Sequence, residues 1–300
     1  MKKILITGAN GLLGQALVDL FQKKYVMKAT GVEERGIYPI EDVSYQTLDI
    51  SNFNQCKDLV NQFAPDVIIN AASFTQVDAC EDQRELCWQI NVKGVENLAN
   101  LCRRYDIHLV HYSTDYVFDG KKGPYSENDR PHPLGYYGKS KLASENVLRQ
   151  IACPFTIART CVIYGIAVQA KKNFYLWVLE SLRNKLTLKV VIDQFNNPTL
   201  AEDLALGTEQ VIQSSLLGTL HLAGKEYLNR FDFAVSIAKF FNLDTNLIQP
   251  IETAQLKQSS QRPVYGGLKI DKAIDILQYE PRTVQNTFAF LKWKMERNGR

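Results

Sequence analysis

Lys3-Ile4-Leu5-Ile6-Thr7-Gly8-Ala9-Asn10-Gly11-Leu12-Leu13-Gly14 is the stretch that decides the fold. Lys3 to Thr7 is a short apolar run of buried-strand length, closed by a glycine. Beyond it Leu13, Leu17, Leu20 and Phe21 recur at the spacing of one helix face, which predicts a helix over 12–24. A strand that turns into a helix through Gly8, Gly11 and Gly14 lets backbone N–H groups approach a pyrophosphate at the positive end of the helix. The spacing is Gly-x-x-Gly-x-x-Gly, not the commoner Gly-x-Gly-x-x-Gly. Such turns often serve geometry alone. The position between a first strand and an amphipathic helix is what points to a dinucleotide.

Working outward, the alternation continues. Residues 26–32, 44–48, 67–70, 107–112 and 155–159 read as strands. A helix capped by Ser51 is expected to reach Phe63, and others to span 84–105 and 137–150. This order implies an α/β fold, a doubly wound parallel sheet of Rossmann type with right-handed crossovers. After Gly165 the pattern loosens. Helices are expected at 174–183 and 230–241, a strand at 188–192 and irregular chain over 250–265. The expected organisation is a dinucleotide-binding domain over 1–165 and a smaller, mainly substrate-binding lobe over 166–300. Some segments within 193–245 should return to the first domain.

Composition narrows the function classes. The 300 residues are 45% hydrophobic and 22% charged, ordinary for a soluble globular chain with a sizeable core. A net charge of +3 gives no footprint for nucleic acid or a membrane surface. Lys292, Lys294, Arg297 and Arg300 read as a solvated helix end. The six cysteines contain no Cys-x-x-Cys pair and read as reduced, small hydrophobes of a cytoplasmic protein. His108 and His111 lie three apart in an expected strand, on opposite faces, so no metal site is expected. The run Ile4-Leu5-Ile6 is too short for a signal sequence or a membrane span.

Glu33, Glu34 and Arg35 follow the second strand, about twenty residues past the glycine turn. An acidic residue there binds the adenosine ribose hydroxyls, whereas an arginine welcomes a 2′-phosphate. Both kinds are present; Glu33 comes first, which favours NADH within an NAD(P)H expectation. Asp49 and Ile50, after the third strand, are placed to meet the adenine edge, with a plain helix-entry aspartate as the alternative.

Reduction of a ketone by a nicotinamide needs a proton donor at the oxygen. A tyrosine, with a free pKa of about 10, must be tuned towards neutrality, and a lysine one helical turn away favours its ionised form. Tyr137 and Lys141 have that offset, and Lys141 could also reach the nicotinamide ribose. Tyr136 and Lys139 are only three apart and carry no expected role. Thr114, or Ser113, would end the preceding strand at its carboxyl edge and orient the substrate oxygen.

Taken together these residues resemble the extended short-chain dehydrogenase/reductase family, and within it the dTDP-4-dehydrorhamnose reductases. The resembling stretches are Ile6 to Gly14, Asn70-Ala71-Ala72-Ser73-Phe74-Thr75-Gln76-Val77-Asp78 and Ser113-Thr114-Asp115-Tyr116-Val117-Phe118-Asp119-Gly120. Tyr137 to Lys141, Arg159-Thr160, Asn173-Phe174, Asp193 to Thr199 and Gln261-Arg262-Pro263 follow, so nearly the whole chain is covered. The resemblance implies NAD(P)H-dependent reduction of a nucleotide-linked 4-keto-6-deoxy sugar, dTDP-4-dehydrorhamnose to dTDP-L-rhamnose. Thr114, Tyr137 and Lys141 would be catalytic. Gly8, Asn10, Gly11, Leu12, Leu13 and Gly14 would hold the cofactor. Ala71, Ala72 and Ser73 would line its nicotinamide end, supported by Asn91. Val77, Thr114, Asn173 and Arg262 would face the nucleotide-sugar, with the Arg262 fork matched to a diphosphate. The resemblance also admits a homodimer.

Two departures concern the sugar: Val162 stands where these enzymes usually carry tryptophan, and Asn196 where glycine is usual. Related dehydratases carry Asp-Glu after the threonine, whereas here Asp115 precedes Tyr116, which cannot act as a carboxylate acid. Gly218-Thr219-Leu220-His221 and Phe241-Asn242-Leu243 also look like the regulatory β subunit of methionine adenosyltransferase, an NADP-binding accessory protein.

Overall fold

In the computed structural model, residues 1–37, 43–256 and 258–297 are described; Arg300 of the basic C-terminal group lies outside them. The opening strand β1 (Lys3–Thr7) is an interior strand of a seven-stranded sheet. It pairs in parallel with β2 (Val26–Gly31) on one side and β4 (Val67–Asn70) on the other. β3 (Ser44–Thr47) extends the sheet beyond β2. β5 (His108–Thr114) and β6 (Phe155–Thr160) extend it beyond β4, and Gly218–His221 closes that edge against β6. The chain therefore winds outward from β1 in one direction and then restarts at β4 in the other. The reversal between β1 and β4 is the crevice where ligands bind in such sheets.

Side-chain alternation fixes the two faces. Ile4 and Ile6 enter one core with Leu13, Leu17 and Phe21 of the first helix, α1 (Leu12–Phe21), and Leu204 of the Ala201–Ser214 helix. Leu5 points the other way, into a core with Leu59 of α2 (Phe53–Phe63), Leu98 of the Gly94–Tyr105 helix and Leu148 of the Tyr136–Ile151 helix. A third cluster lies outside the sheet. There Tyr164, Tyr175, Phe233 and Phe288 pack together, with the Tyr164 and Phe233 rings edge-on at 5.1 Å.

Several boundaries differ from expectation. α1 ends at Phe21, its last buried position, because the polar residues 22–24 have nothing to bury. The cap of α2 is Asn52, whose side chain accepts from the Gln55 amide, while Ser51 turns back to donate to Asp49. The expected helix over 84–105 is three pieces, Arg84–Trp88, a wider π-type turn Gln89–Lys93, and Gly94–Tyr105. β5 runs two residues further than read, to Thr114. Ile248–Ile251, expected to be partly irregular, is a strand paired in parallel with Leu188–Val191. Its Pro250 is tolerated because each strand of a two-stranded ribbon has a free edge. All six cysteines are free and buried.

Candidate active site

The carboxyl ends of β1 and β4 make the floor of the site. Gly8 has φ +67°, a conformation that L side chains rarely adopt, and a Cβ there would lie 2.7 Å from the Ala72 nitrogen. A Cβ on Gly14 would lie 2.2 Å from the Gly8 carbonyl oxygen. These glycines let β1, α1 and Ala71–Ala72 close on one another. Gly11 caps α1 without any side-chain hydrogen bond, and no acidic residue stands in the first turn. The amide N–H groups that open α1 are thus uncapped by side chains at the crevice, the arrangement a pyrophosphate requires. The Leu13 side chain serves the core and Leu12 packs against it.

Beyond the end of β2 the Asn10 side chain organises the loop that follows. Its amide donates to Glu33 Oε2 (2.9 Å), the Arg35 carbonyl (3.1 Å) and the Tyr45 hydroxyl (3.2 Å), while its oxygen accepts from the Ile37 amide. The Glu33 carboxylate is held just beyond the end of β2, 2.7 Å from where a Cβ on Gly31 would stand. Asp49 is engaged in a local turn, accepting from the Ser51 amide and hydroxyl. Ile50 lies in the core under Gly94. The structure therefore gives Asn10 and Ile50 supporting positions that spacing alone did not show.

Polar side chains link β1, β4 and β5 to the Tyr136–Ile151 helix. Thr7 donates to Asn70 Oδ1 at 2.6 Å, Asn70 Nδ2 meets His111 Nδ1 at 3.2 Å, and His111 Nε2 lies 3.0 Å from Ser144 Oγ and 3.4 Å from Lys141 Nζ. Both His111 and Lys141 are buried. Burial, reinforced by the Lys141 charge, holds His111 well below the usual imidazole range. Burial likewise pulls Lys141 down to about 8, against the opposing charges of Glu145 and Cys87. Asn91, carried inward by the π-type turn, accepts from Ser73 Oγ and the Phe74 amide (both 2.8 Å) and donates to Ser140 Oγ (3.0 Å). It pins the Ala71–Phe74 segment to the Tyr136–Ile151 helix; such turns are frequent at functional sites.

Thr114 ends β5, and its hydroxyl donates to Asp115 Oδ1 and accepts from the Tyr116 amide, both at 3.2 Å. Tyr137 is the second residue of its helix; Lys141 follows one turn on, and the Tyr116 ring meets Tyr137 edge-on at 6.0 Å. The N-terminus of this helix, capped by Gly135 without a side chain, is served from outside by Glu81, which accepts from the Tyr136 amide at 2.7 Å. The enclosed position of the Tyr137 phenol raises its pKa, with Cys80, Asp115 and Tyr116 adding to the rise and Thr114 opposing it. The Lys141 ammonium faces inward, towards β5.

On the open side, Arg262 makes two hydrogen bonds to the Asp78 carboxylate, at 2.8 and 2.6 Å, and a third to the Ser260 carbonyl. These bonds hold Asp78 below the usual carboxylate range. Val77 is half-buried beside Asp78. Asn173 caps the Phe174–Arg183 helix, accepting from the Leu176 amide and donating to the Gly165 carbonyl. Asp115 lies beneath Thr114, accepting from the Gly267 amide at 3.1 Å, and burial raises its pKa to about 6.

Sequence reading missed four participants. His111 was weighed only as a metal ligand. Arg230, at the start of the Arg230–Phe240 helix, donates to Gln194 Oε1 and lies over the Phe174 ring. Cys80 and Cys87, seven apart and outside any motif, bring their thiols together beside Ser140, and the hydrogen bond from Cys80 lowers Cys87 to about 7. No group of metal-ligating side chains occurs among the described residues, and none of the described helices is long and apolar enough to cross a membrane.

Comparison with known proteins agrees with this geometry. A family model described as the RmlD substrate binding domain matches residues 1–296. The chain is 32% identical to the dTDP-4-dehydrorhamnose reductase of Aggregatibacter actinomycetemcomitans, over 97% of this chain and 99% of that one. The solved dTDP-4-dehydrorhamnose reductase of Bacillus anthracis, in complex with NADP, superposes with a TM-score of 0.84 at 28% identity, covering 98% of this chain and 99% of that one. Methionine adenosyltransferase 2 subunit beta of Rattus norvegicus is 30% identical over 90% of this chain and 81% of its own length.

Proposed function

The chain belongs to the RmlD substrate binding domain family, and from that premise we propose that it reduces the C4 carbonyl of dTDP-4-dehydrorhamnose to give dTDP-L-rhamnose. The observation that carries the reading is Thr114 at the carboxyl end of β5, with Tyr137 opening the following long helix and Lys141 one turn on, in the sheet whose order reverses between β1 and β4. A nicotinamide coenzyme, when bound, supplies the hydride. The protein supplies the rest. Gly8, Gly11, Leu12, Leu13 and Gly14 receive the pyrophosphate on backbone N–H groups. Ala71, Ala72 and Ser73 border the nicotinamide, and Asn91 fixes their position. Tyr137 holds a phenolic proton for the sugar oxygen, because its enclosed position keeps it protonated. Thr114 orients that oxygen. Lys141 places positive charge beneath the site as the proton leaves and binds the nicotinamide ribose.

Glu33, fixed by Asn10, supports NADH as the better coenzyme, since a carboxylate there accepts from ribose hydroxyls and repels a 2′-phosphate. Residues 1–165 carry the dinucleotide site, and residues 166–300 carry most of the substrate lobe, contributing Asn173 and Arg262. The protein acts in the cytoplasm, as a homodimer. The resemblance to the methionine adenosyltransferase subunit supports a second reading, an NADP-binding accessory subunit. Supplying dTDP-4-dehydrorhamnose with NADH or NADPH, and following coenzyme oxidation and the sugar product by NMR, separates the two. Turnover with either coenzyme establishes the reductase; its absence, with a stoichiometric synthetase partner recovered by pull-down, establishes the accessory subunit.

A further inference from the structure

Two guanidinium groups stand on the open side of the site, and only one is neutralised. Arg262 is locked in its paired bonds to Asp78, with the Ser260 carbonyl taking a further N–H. Arg230 takes part in none of the ion pairs found among the described residues. It is nevertheless half-buried and held in place. Its Nε donates to Gln194 Oε1 at 3.2 Å, its backbone N–H to the Gln194 carbonyl at 3.1 Å, and its Cζ sits 5.2 Å from the centre of the Phe174 ring. Gln194 is itself buried and fixed by Thr253. The carboxyl that Arg230 senses, Asp115, is turned to the Gly267 amide and the Thr114 hydroxyl. A partly desolvated cation without a counter-charge is costly unless an anion completes it.

We propose that Arg230, seated on Phe174 and Gln194, is the group that receives the diphosphate of the nucleotide-sugar. Arg262 is a positioning residue that latches residues 260–262 to Asp78. This inference rests on the nucleotide-sugar reading given above and changes the guanidinium that serves it. The Tyr116 ring packs edge-on against Tyr137, and the Arg230 charge favours the ionised Tyr116 phenol. The fork of Arg230 is directed by one bond to Gln194, which leaves its remaining N–H groups for phosphate oxygens.

The test uses the full chain with dTDP and dTMP as probes, measured by calorimetry in the presence of coenzyme. Arg230→Gln is expected to weaken dTDP binding on the order of ten- to a hundredfold. It should change dTMP binding much less and leave coenzyme affinity unchanged. Arg230→Lys, which keeps the charge without the fork, should recover part of the loss. Retention of the wild-type melting temperature by Arg230→Gln shows that folding is not the cause. Tight dTDP binding by wild type that survives Arg230→Gln would overturn the inference while leaving the functional reading intact. Failure of wild type to bind dTDP at all would overturn both.

Discussion

Lys141 Nζ stands 3.4 Å from His111 Nε2, so the cation of the proposed catalytic set is buried against an imidazole rather than aimed at the phenol. The contact requires His111 to stay neutral, and its depressed pKa ensures this. A charged lysine kept in such a place costs stability until a ligand engages it.

That cost has a definite pH signature. The Lys141 pKa falls from 10.5 to about 8 on folding. Between those values the unfolded chain binds the proton and the folded chain does not, so this group's contribution to stability rises with pH across that window. Below about 8 the full penalty is present. Lys141→Met is therefore expected to melt above wild type at pH 7, with the difference shrinking as the pH approaches 10.5, while turnover is lost. Calorimetric melts at several pH values check this; a constant difference across the window would refute it.

Tyr137→Phe removes the proton donor but leaves the floor of the site intact. The expected result is a fall in kcat of about 10²- to 10⁴-fold with unchanged coenzyme affinity. Wild-type-like turnover would take Tyr137 out of the mechanism.

The proposed role of Glu33 is a reading of the coenzyme's ribose. Glu33→Ser removes the carboxylate that Asn10 holds beyond β2. The ratio of kcat/KM for NADPH over NADH is expected to rise about tenfold, equivalent to about 1.4 kcal/mol. An unaltered ratio would show that Glu33 does not read the ribose.

Glu145 lies one turn past Lys141 and is bonded twice to Arg159, at 2.8 and 2.7 Å. Burial opposes its ionisation, yet the Arg159 bonds keep the carboxyl below its ordinary pKa. Arg159 is 2% exposed. Glu145→Gln leaves that guanidinium uncompensated, and unfolding in urea should report a loss of about 3–5 kcal/mol. A loss within experimental error would mean that water or His221 compensates the charge.

The glycine turn and β5 were legible because their chemistry is local: spacing along the chain is spacing in space. The same holds for Tyr137 and Lys141, which one helical turn brings to a common face. What sequence did not disclose depends on distant partners. Arg230 resembles any solvated residue at a helix start until Gln194 and Phe174 hold it. Arg262 looked free for a phosphate because nothing in its neighbourhood along the chain announces Asp78, 184 positions earlier. Cys80 and Cys87 meet only because two short helices fold back on each other. Asn91 owes its inward aim to an extra residue per turn, which periodicity does not register.

The edge strand Gly218–His221 has a consequence for how the protein can be divided. Chain from beyond residue 200 supplies the outer neighbour of β6, and the Ala201–Ser214 helix covers α1. A fragment ending at residue 165 would bare one whole rim of unpaired amides and carbonyls, together with the apolar flank of its first helix. Such a piece invites self-association rather than independent folding. Gene truncation at that point should thus yield insoluble material, not a miniature coenzyme carrier.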